Sequence, residues 1–93
     1  MDSYYFYILV CADAKRYYGS TVNLAYRLRN HNEGLTPSTK WRRPVKLVCY
    51  KEFKTRSEAV RYERKFKSGK TRKTTIDKLI KEFPQDKLNK FMI

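Results

Sequence analysis

Tyr4-Tyr5-Phe6-Tyr7-Ile8-Leu9-Val10-Cys11, then Ala12-Asp13-Ala14-Lys15, then Arg16-Tyr17-Tyr18-Gly19: this stretch decides how the chain folds. Its first eight residues are aromatic, β-branched or otherwise apolar and have no helical period, which predicts a strand buried on both faces. Residues 12–15 supply a turn and residues 16–19 a second, short strand, so the chain begins with a β-hairpin.

Reading outward, Thr21 is the expected N-cap of a helix over about 22–32, where Leu24, Leu28 and His31 recur at helical spacing and Gly34 supplies the stop. Residues 33–44 form a polar, basic loop closed by Pro44, and residues 45–53 return to strand character. Thr55-Arg56-Ser57-Glu58 has the spacing of a capping box, in front of a helix carrying Ala59, Tyr62 and Phe66 on one stripe. Ser68-Gly69-Lys70 stops that helix. A third helix over about 74–83 presents Ile76, Leu79, Ile80 and Phe83 before Pro84 ends it. The tail residues Leu88, Phe91, Met92 and Ile93 are expected to pack back on the core or on a partner chain. The order β-β-α-β-α-α predicts an α+β fold in one domain over residues 1–93, a small three-stranded antiparallel sheet flanked by helices.

Charge narrows the partners. Twenty-two Lys and Arg against nine Asp and Glu leave a formal charge of +13 in 93 residues, while hydrophobic residues at 41% suffice for a folded core. Such a balance favours a polyanion, and nucleic acid leads because neutralised phosphates release counterions. A ribosome- or RNA-associated protein would share it. No apolar run is long enough to span a membrane, and no basic signal-type start precedes residue 4, so a cytoplasmic location is expected. Cys11 and Cys49 lie inside apolar runs and, with a single histidine, do not make a four-ligand zinc site; they read as small buried hydrophobes in neighbouring strands. Three unclustered glycines exclude a phosphate-binding loop, and one histidine without a Gly-x-Ser-x-Gly context argues against a hydrolase triad.

Five residues sit where the pattern calls for core or core edge: Tyr7 mid-strand, Tyr17 in the second strand, Arg27 and His31 four apart on one helical face, and Glu63 beside the Ala59–Phe66 stripe. Each also has a plain reading. The tyrosines could be ordinary sheet residues, Arg27 and Glu63 an inter-helix ion pair, and His31 a satisfied edge histidine. Lys40-Trp41-Arg42-Arg43 interleaves an aromatic with cations, suited to phosphate contact and base stacking, although Trp41 could equally plug the loop. Lys65, Lys67, Lys70, Arg72 and Lys73 belong to a second basic cluster that is either a phosphate-binding surface or a solvated face.

Taken in order, these residues resemble the GIY-YIG nuclease family. Tyr5-Phe6-Tyr7 stands at its first motif and Tyr17-Tyr18-Gly19 at its second. Arg27 follows Tyr17 by ten as the family's arginine does, and His31-Asn32, Arg43-Pro44-Val45-Lys46-Leu47-Val48 and Ser57-Glu58-Ala59-Val60-Arg61-Tyr62-Glu63 continue the series. Lys67-Ser68-Gly69-Lys70 is similar to the short bacterial stand-alone branch, related to the amino-terminal nuclease domain of the excision-repair nuclease. The resemblance covers residues 4–82.

That resemblance implies roles. Glu63 would hold one divalent cation, magnesium being expected, with the scissile phosphate and waters completing an oxygen shell. Tyr17 would act on the attacking water as general base or relay; a phenol titrates near 10, so it needs positive charge nearby. Arg27 would supply that charge and stabilise the phosphoryl oxygens, while His31 and Tyr7 would orient water and phosphate. The chain departs from the family pattern where Tyr5 replaces the first motif's glycine, a variation common in the stand-alone branch. It departs again where a carboxamide or second basic group is expected after the glutamate helix and only Lys67, Lys70 and Lys73 are available. The expectation is a magnesium-dependent endonuclease on DNA ahead of RNA, including branched or damaged DNA. Its target specificity would come from a protein partner or from DNA structure. The alternative is a nucleic-acid-binding or recruitment module that has lost turnover.

Overall fold

Of the strands, β1 (Tyr4–Val10) lies in the middle, between β2 (Arg16–Thr21) and β3 (Lys46–Phe53), and both pairings are antiparallel. The computed structural model describes residues 3–91. Alternation along β1 sends Tyr5, Tyr7 and Leu9 to one face and Phe6 and Ile8 to the other, and Phe6, Tyr7, Ile8 and Leu9 are all buried. The prediction of a strand covered on both sides is therefore met. On the first face Tyr7 and Leu9 pack with Leu24, Leu28, Cys11 and Val45; on the second, Phe6 and Ile8 pack with Cys49, Phe66 and Ile76. A bulge opposite Ile8 and Leu9 leaves Val48 without a partner, since Ile8 faces Cys49 and Leu9 faces Leu47. Both cysteines are buried free thiols, and burial pushes that of Cys49 up to about 11.

Helix α1 (Leu24–Asn32) buries Leu24, Leu28 and His31. Its N-cap is Asn23, whose side chain accepts from the Tyr26 backbone N–H at 3.1 Å, and not Thr21 as the sequence suggested. Thr21 instead ends β2, and its hydroxyl accepts from the Asn23 N–H. The helix closes at Gly34, in the left-handed region with φ +79°, donating to the His31 carbonyl. The basic loop that follows contains a 3-10 turn, Lys40–Arg42, and a cis Arg43–Pro44 bond.

Helix α2 (Arg56–Lys67) starts at Thr55, whose side chain accepts from the Glu58 N–H as a capping box requires. Helix α3 (Lys73–Glu82) buries Ile76, but Leu79, expected on its apolar stripe, is exposed. A fourth helix absent from the sequence reading, α4 (Gln85–Asn89), begins directly after Pro84 and buries Leu88. The order is thus β-β-α-β-α-α-α, the α+β architecture expected with one short helix added. Phe91 returns to the sheet edge-on to Tyr5 and Tyr50, as expected of the tail; Met92 and Ile93 lie outside the described residues. Among the described residues no helix is long and apolar enough to cross a membrane.

Candidate active site

Tyr7, Tyr17, Arg27 and His31 converge on the α1 face of the sheet. Tyr7 is delivered by the centre of β1 and is fully buried. Its hydroxyl lies 3.0 Å from His31 Nε2 and accepts from Arg27 Nε at 3.5 Å. Tyr17, two residues from Gly19 on β2, places its ring 5.1 Å from that of His31 and 6.3 Å from that of Tyr7. Arg27 and His31 reach the same point because a separation of four puts them one above the other on α1.

Electrostatics follow burial. Loss of water pushes the Tyr7 phenol up to about 12, against the pull of the adjacent Arg27. Burial first, and then the Arg27 charge, depresses His31 to about 4, so the imidazole is neutral at physiological pH. The hydrogen bond to Tyr7 holds the Arg27 guanidinium above its ordinary value, with Tyr17 adding to the effect. Arg27 is therefore a fixed, half-buried cation between two phenols. His31 itself is fully enclosed: its Nε2 meets Tyr7 and its Nδ1 lies 2.7 Å from the Thr39 hydroxyl.

Glu63 comes from α2, on the opposite face. Its two oxygens are divided: Oε1 accepts from the Ser20 hydroxyl at 2.6 Å, and Oε2 pairs with Lys67 Nζ at 2.7 Å, one helical turn on. The inter-helix pair with Arg27 considered from sequence does not form; Glu63 pairs within its own helix. Lys67 also lies 5.6 Å over the Tyr17 ring, so its ammonium links the carboxylate on one face to the phenol on the other. Among the described residues no three His, Cys, Asp or Glu side chains gather into a metal-binding group. Glu63 alone fits a hard divalent cation if substrate oxygens complete the shell, and its Oε2 already attracts one cation, Lys67.

The basic residues divide by what they touch. Trp41 is 86% exposed, which removes the loop-plug reading, and Lys40 Nζ lies 5.2 Å over its ring. Arg42 is engaged by Asp13 at 3.0 Å. Arg43 donates to the carbonyls of Lys40 and Asn32, bracing the loop against the end of α1. An open cleft of ≈ 800 Å³ runs past Arg29, Asn32, Lys40, Trp41 and Arg43. Lys65, Lys70, Arg72 and Lys73 are exposed around the end of α2 and the start of α3, Lys65 lying 5.7 Å over Tyr62.

Two contributors escaped the sequence reading. Ser20 had a partial signal, since strand alternation puts it on the face opposite Tyr17, and the structure pairs it with Phe6 on the α2 side. Thr39 had none, being one hydroxyl in a loop without periodicity.

The GIY-YIG catalytic domain model matches residues 3–77. The chain belongs to the GIY-YIG family. It is 40% identical to a UPF0213 protein of Pediococcus pentosaceus over 77 residues, covering 82% of this chain and 80% of that one. A UPF0213 protein of Bacillus velezensis is 44% identical over 67 residues, 71% of this chain and 68% of the other. The solution NMR structure of a UPF0213 protein from Bacillus halodurans superposes with a TM-score of 0.55 at 26% identity, over 94% of this chain and 93% of that one. The chain is thus a member of a nuclease family, in a short form shared with the UPF0213 proteins.

Proposed function

We propose that this chain is an endonuclease that hydrolyses phosphodiester bonds in DNA with a divalent cation, magnesium being the expected ion, held on Glu63. The observation that carries this reading is the convergence of a fixed cation and a carboxylate on one phenol. Arg27 lies beside Tyr17 on the α1 side, and Lys67 joins the Glu63 carboxylate to the ring of Tyr17 from the α2 side. Arg27 is suited to grip phosphoryl oxygens as they gain charge, because it is held before substrate arrives. Tyr17, half-buried and open to the same corner, is the group to take a proton from the attacking water, either as the phenolate or in a relay that passes its own proton on to solvent. A bound cation would act as Lewis acid on the phosphoryl oxygen and stabilise the leaving oxygen. Tyr7 and His31, being enclosed, serve by holding Arg27 rather than by touching substrate. The exposed Trp41 and the lysines and arginines at residues 65–73 supply the polyanion-binding surface.

One observation favours the second reading, a DNA-binding module without turnover: both oxygens of Glu63 are already engaged, by Ser20 and by Lys67. A nicking assay on supercoiled and branched DNA, with and without magnesium and with RNA as competitor, separates the two. Magnesium-dependent cleavage that Glu63→Gln abolishes, at unchanged DNA affinity, supports the enzyme. A salt-sensitive mobility shift with no cleavage by the wild type supports the binding module.

A further inference from the structure

Thr39 is fully buried in a loop otherwise rich in exposed polar residues. Its hydroxyl lies 3.5 Å from the Thr36 carbonyl, to which it donates, and 2.7 Å from His31 Nδ1. Arg27 sets the direction of the protons along this chain of contacts, because its Nε can only donate. The Tyr7 oxygen accepts from it at 3.5 Å, and the Tyr7 proton then has His31 Nε2, 3.0 Å away, as its acceptor. A neutral imidazole carries one N–H, which then sits on Nδ1 and is donated to the Thr39 hydroxyl oxygen 2.7 Å away, leaving the Thr39 proton for the Thr36 carbonyl. The depressed protonation of His31 agrees with a neutral ring.

We propose that Thr39 is a positioning residue for the Arg27 guanidinium, acting through His31 and Tyr7. The proposal rests on the nuclease reading for what Arg27 does to a phosphate, but not for the chain of bonds. Without the Thr39 hydroxyl, His31 can move its proton to Nε2, which then donates to the Tyr7 oxygen. The phenolic proton turns toward Arg27, donor meets donor, and the guanidinium loses its fixed direction. Thr39 also leads directly into the Lys40–Arg42 turn, so the setting of Arg27 is tied to the loop that presents Trp41.

The test uses the full chain labelled with nitrogen-15, as wild type, Thr39→Val and Thr39→Ser. In the wild type the imidazole nitrogen shifts should identify Nδ1 as protonated and Nε2 as bare. Thr39→Val should shift the tautomer toward Nε2–H and move the Arg27 Nε–H resonance, and Thr39→Ser should restore both. Single-turnover cleavage should fall about tenfold in Thr39→Val at unchanged DNA affinity, the size expected for one lost hydrogen bond, and recover in Thr39→Ser. An Nε2–H tautomer in the wild type overturns the proposal, and this readout decides the matter even if Thr39→Val does not fold. An unmoved Arg27 resonance in a folded Thr39→Val also overturns it. If the wild type cuts no DNA, the nuclease reading fails while the nitrogen shifts still decide the relay.

Discussion

Tyr7 and Gly19 face each other across the β1–β2 pair, and the tyrosine fills the space where a Cβ on the glycine would lie. Such a carbon would stand 2.5 Å from both Cζ and the hydroxyl oxygen of Tyr7, closer than any non-bonded contact allows. The glycine is required by this approach and not by a left-handed backbone, since only Gly34 and Gly69 among the glycines have positive φ. Gly19→Ala must push Tyr7 out of line with His31 and Arg27. The expected cost is about 1–3 kcal/mol of stability, as for other overpacked cores. Urea unfolding measures it, and the cleavage rate should fall together with stability.

His31 makes stability depend on pH. Its folded-state pKa is lowered to about 4 from an ordinary 6.5, chiefly by burial. The unfolded chain therefore binds the extra proton first as acid is added. The stabilisation is full above about 6.5 and is lost as pH falls toward 4, by on the order of 3 kcal/mol in all. Denaturant midpoints at pH 7 and pH 4.5 should show the loss, and His31→Gln should flatten that interval. An equal slope in wild type and variant would place the titrating group elsewhere.

Arg27 separates chemistry from binding. It is held by Tyr7 and sits beside Tyr17, so its contribution should appear when charge grows on the phosphate. Arg27→Ala is expected to slow single-turnover cleavage by on the order of a hundredfold, with DNA affinity changed far less. Arg27→Lys should recover little, because a point charge lacks the planar fork. Parallel losses in rate and affinity would assign Arg27 to binding.

The sheet was legible in the sequence because a strand covered on both faces leaves an unbroken apolar run, and residues 4–11 are such a run. Tyr7, Arg27 and His31 stood out as polar groups at core positions, and burial is what their network requires. Helix starts were less legible. Thr21 and Asn23 are both good caps, and only the length of β2 decides between them. Leu79 and α4 went astray because helical spacing does not say how wide a face the neighbouring layer covers. The pairing of Glu63 with Lys67 and Ser20 could not have been chosen over Arg27, since that choice depends on which side of the sheet each helix takes.

Trp41 offers an optical test of where nucleic acid lies. It is exposed, so Trp41→Ala should leave stability within about 0.5 kcal/mol of wild type. Single-stranded or branched DNA should quench its fluorescence. The substitution should weaken that binding by about 1–3 kcal/mol, the usual worth of a base stacked on an aromatic ring. Undiminished fluorescence at saturating DNA would move the binding surface to the lysines and arginines at residues 65–73.

The position of β2 has a consequence for how this sheet can be extended. Among the described residues β1 is its only strand neighbour. Tyr17 serves the α1 side of that strand and Ser20, bonded to Glu63, the α2 side, and Lys67 contacts both Glu63 and the Tyr17 ring. A fourth strand laid along β2 would pair with the strand that carries both Tyr17 and Ser20 and so run beside these contacts. Strand pairing with a second chain would therefore meet the site at the β2 edge of the sheet and lie two strands away from it at the β3 edge.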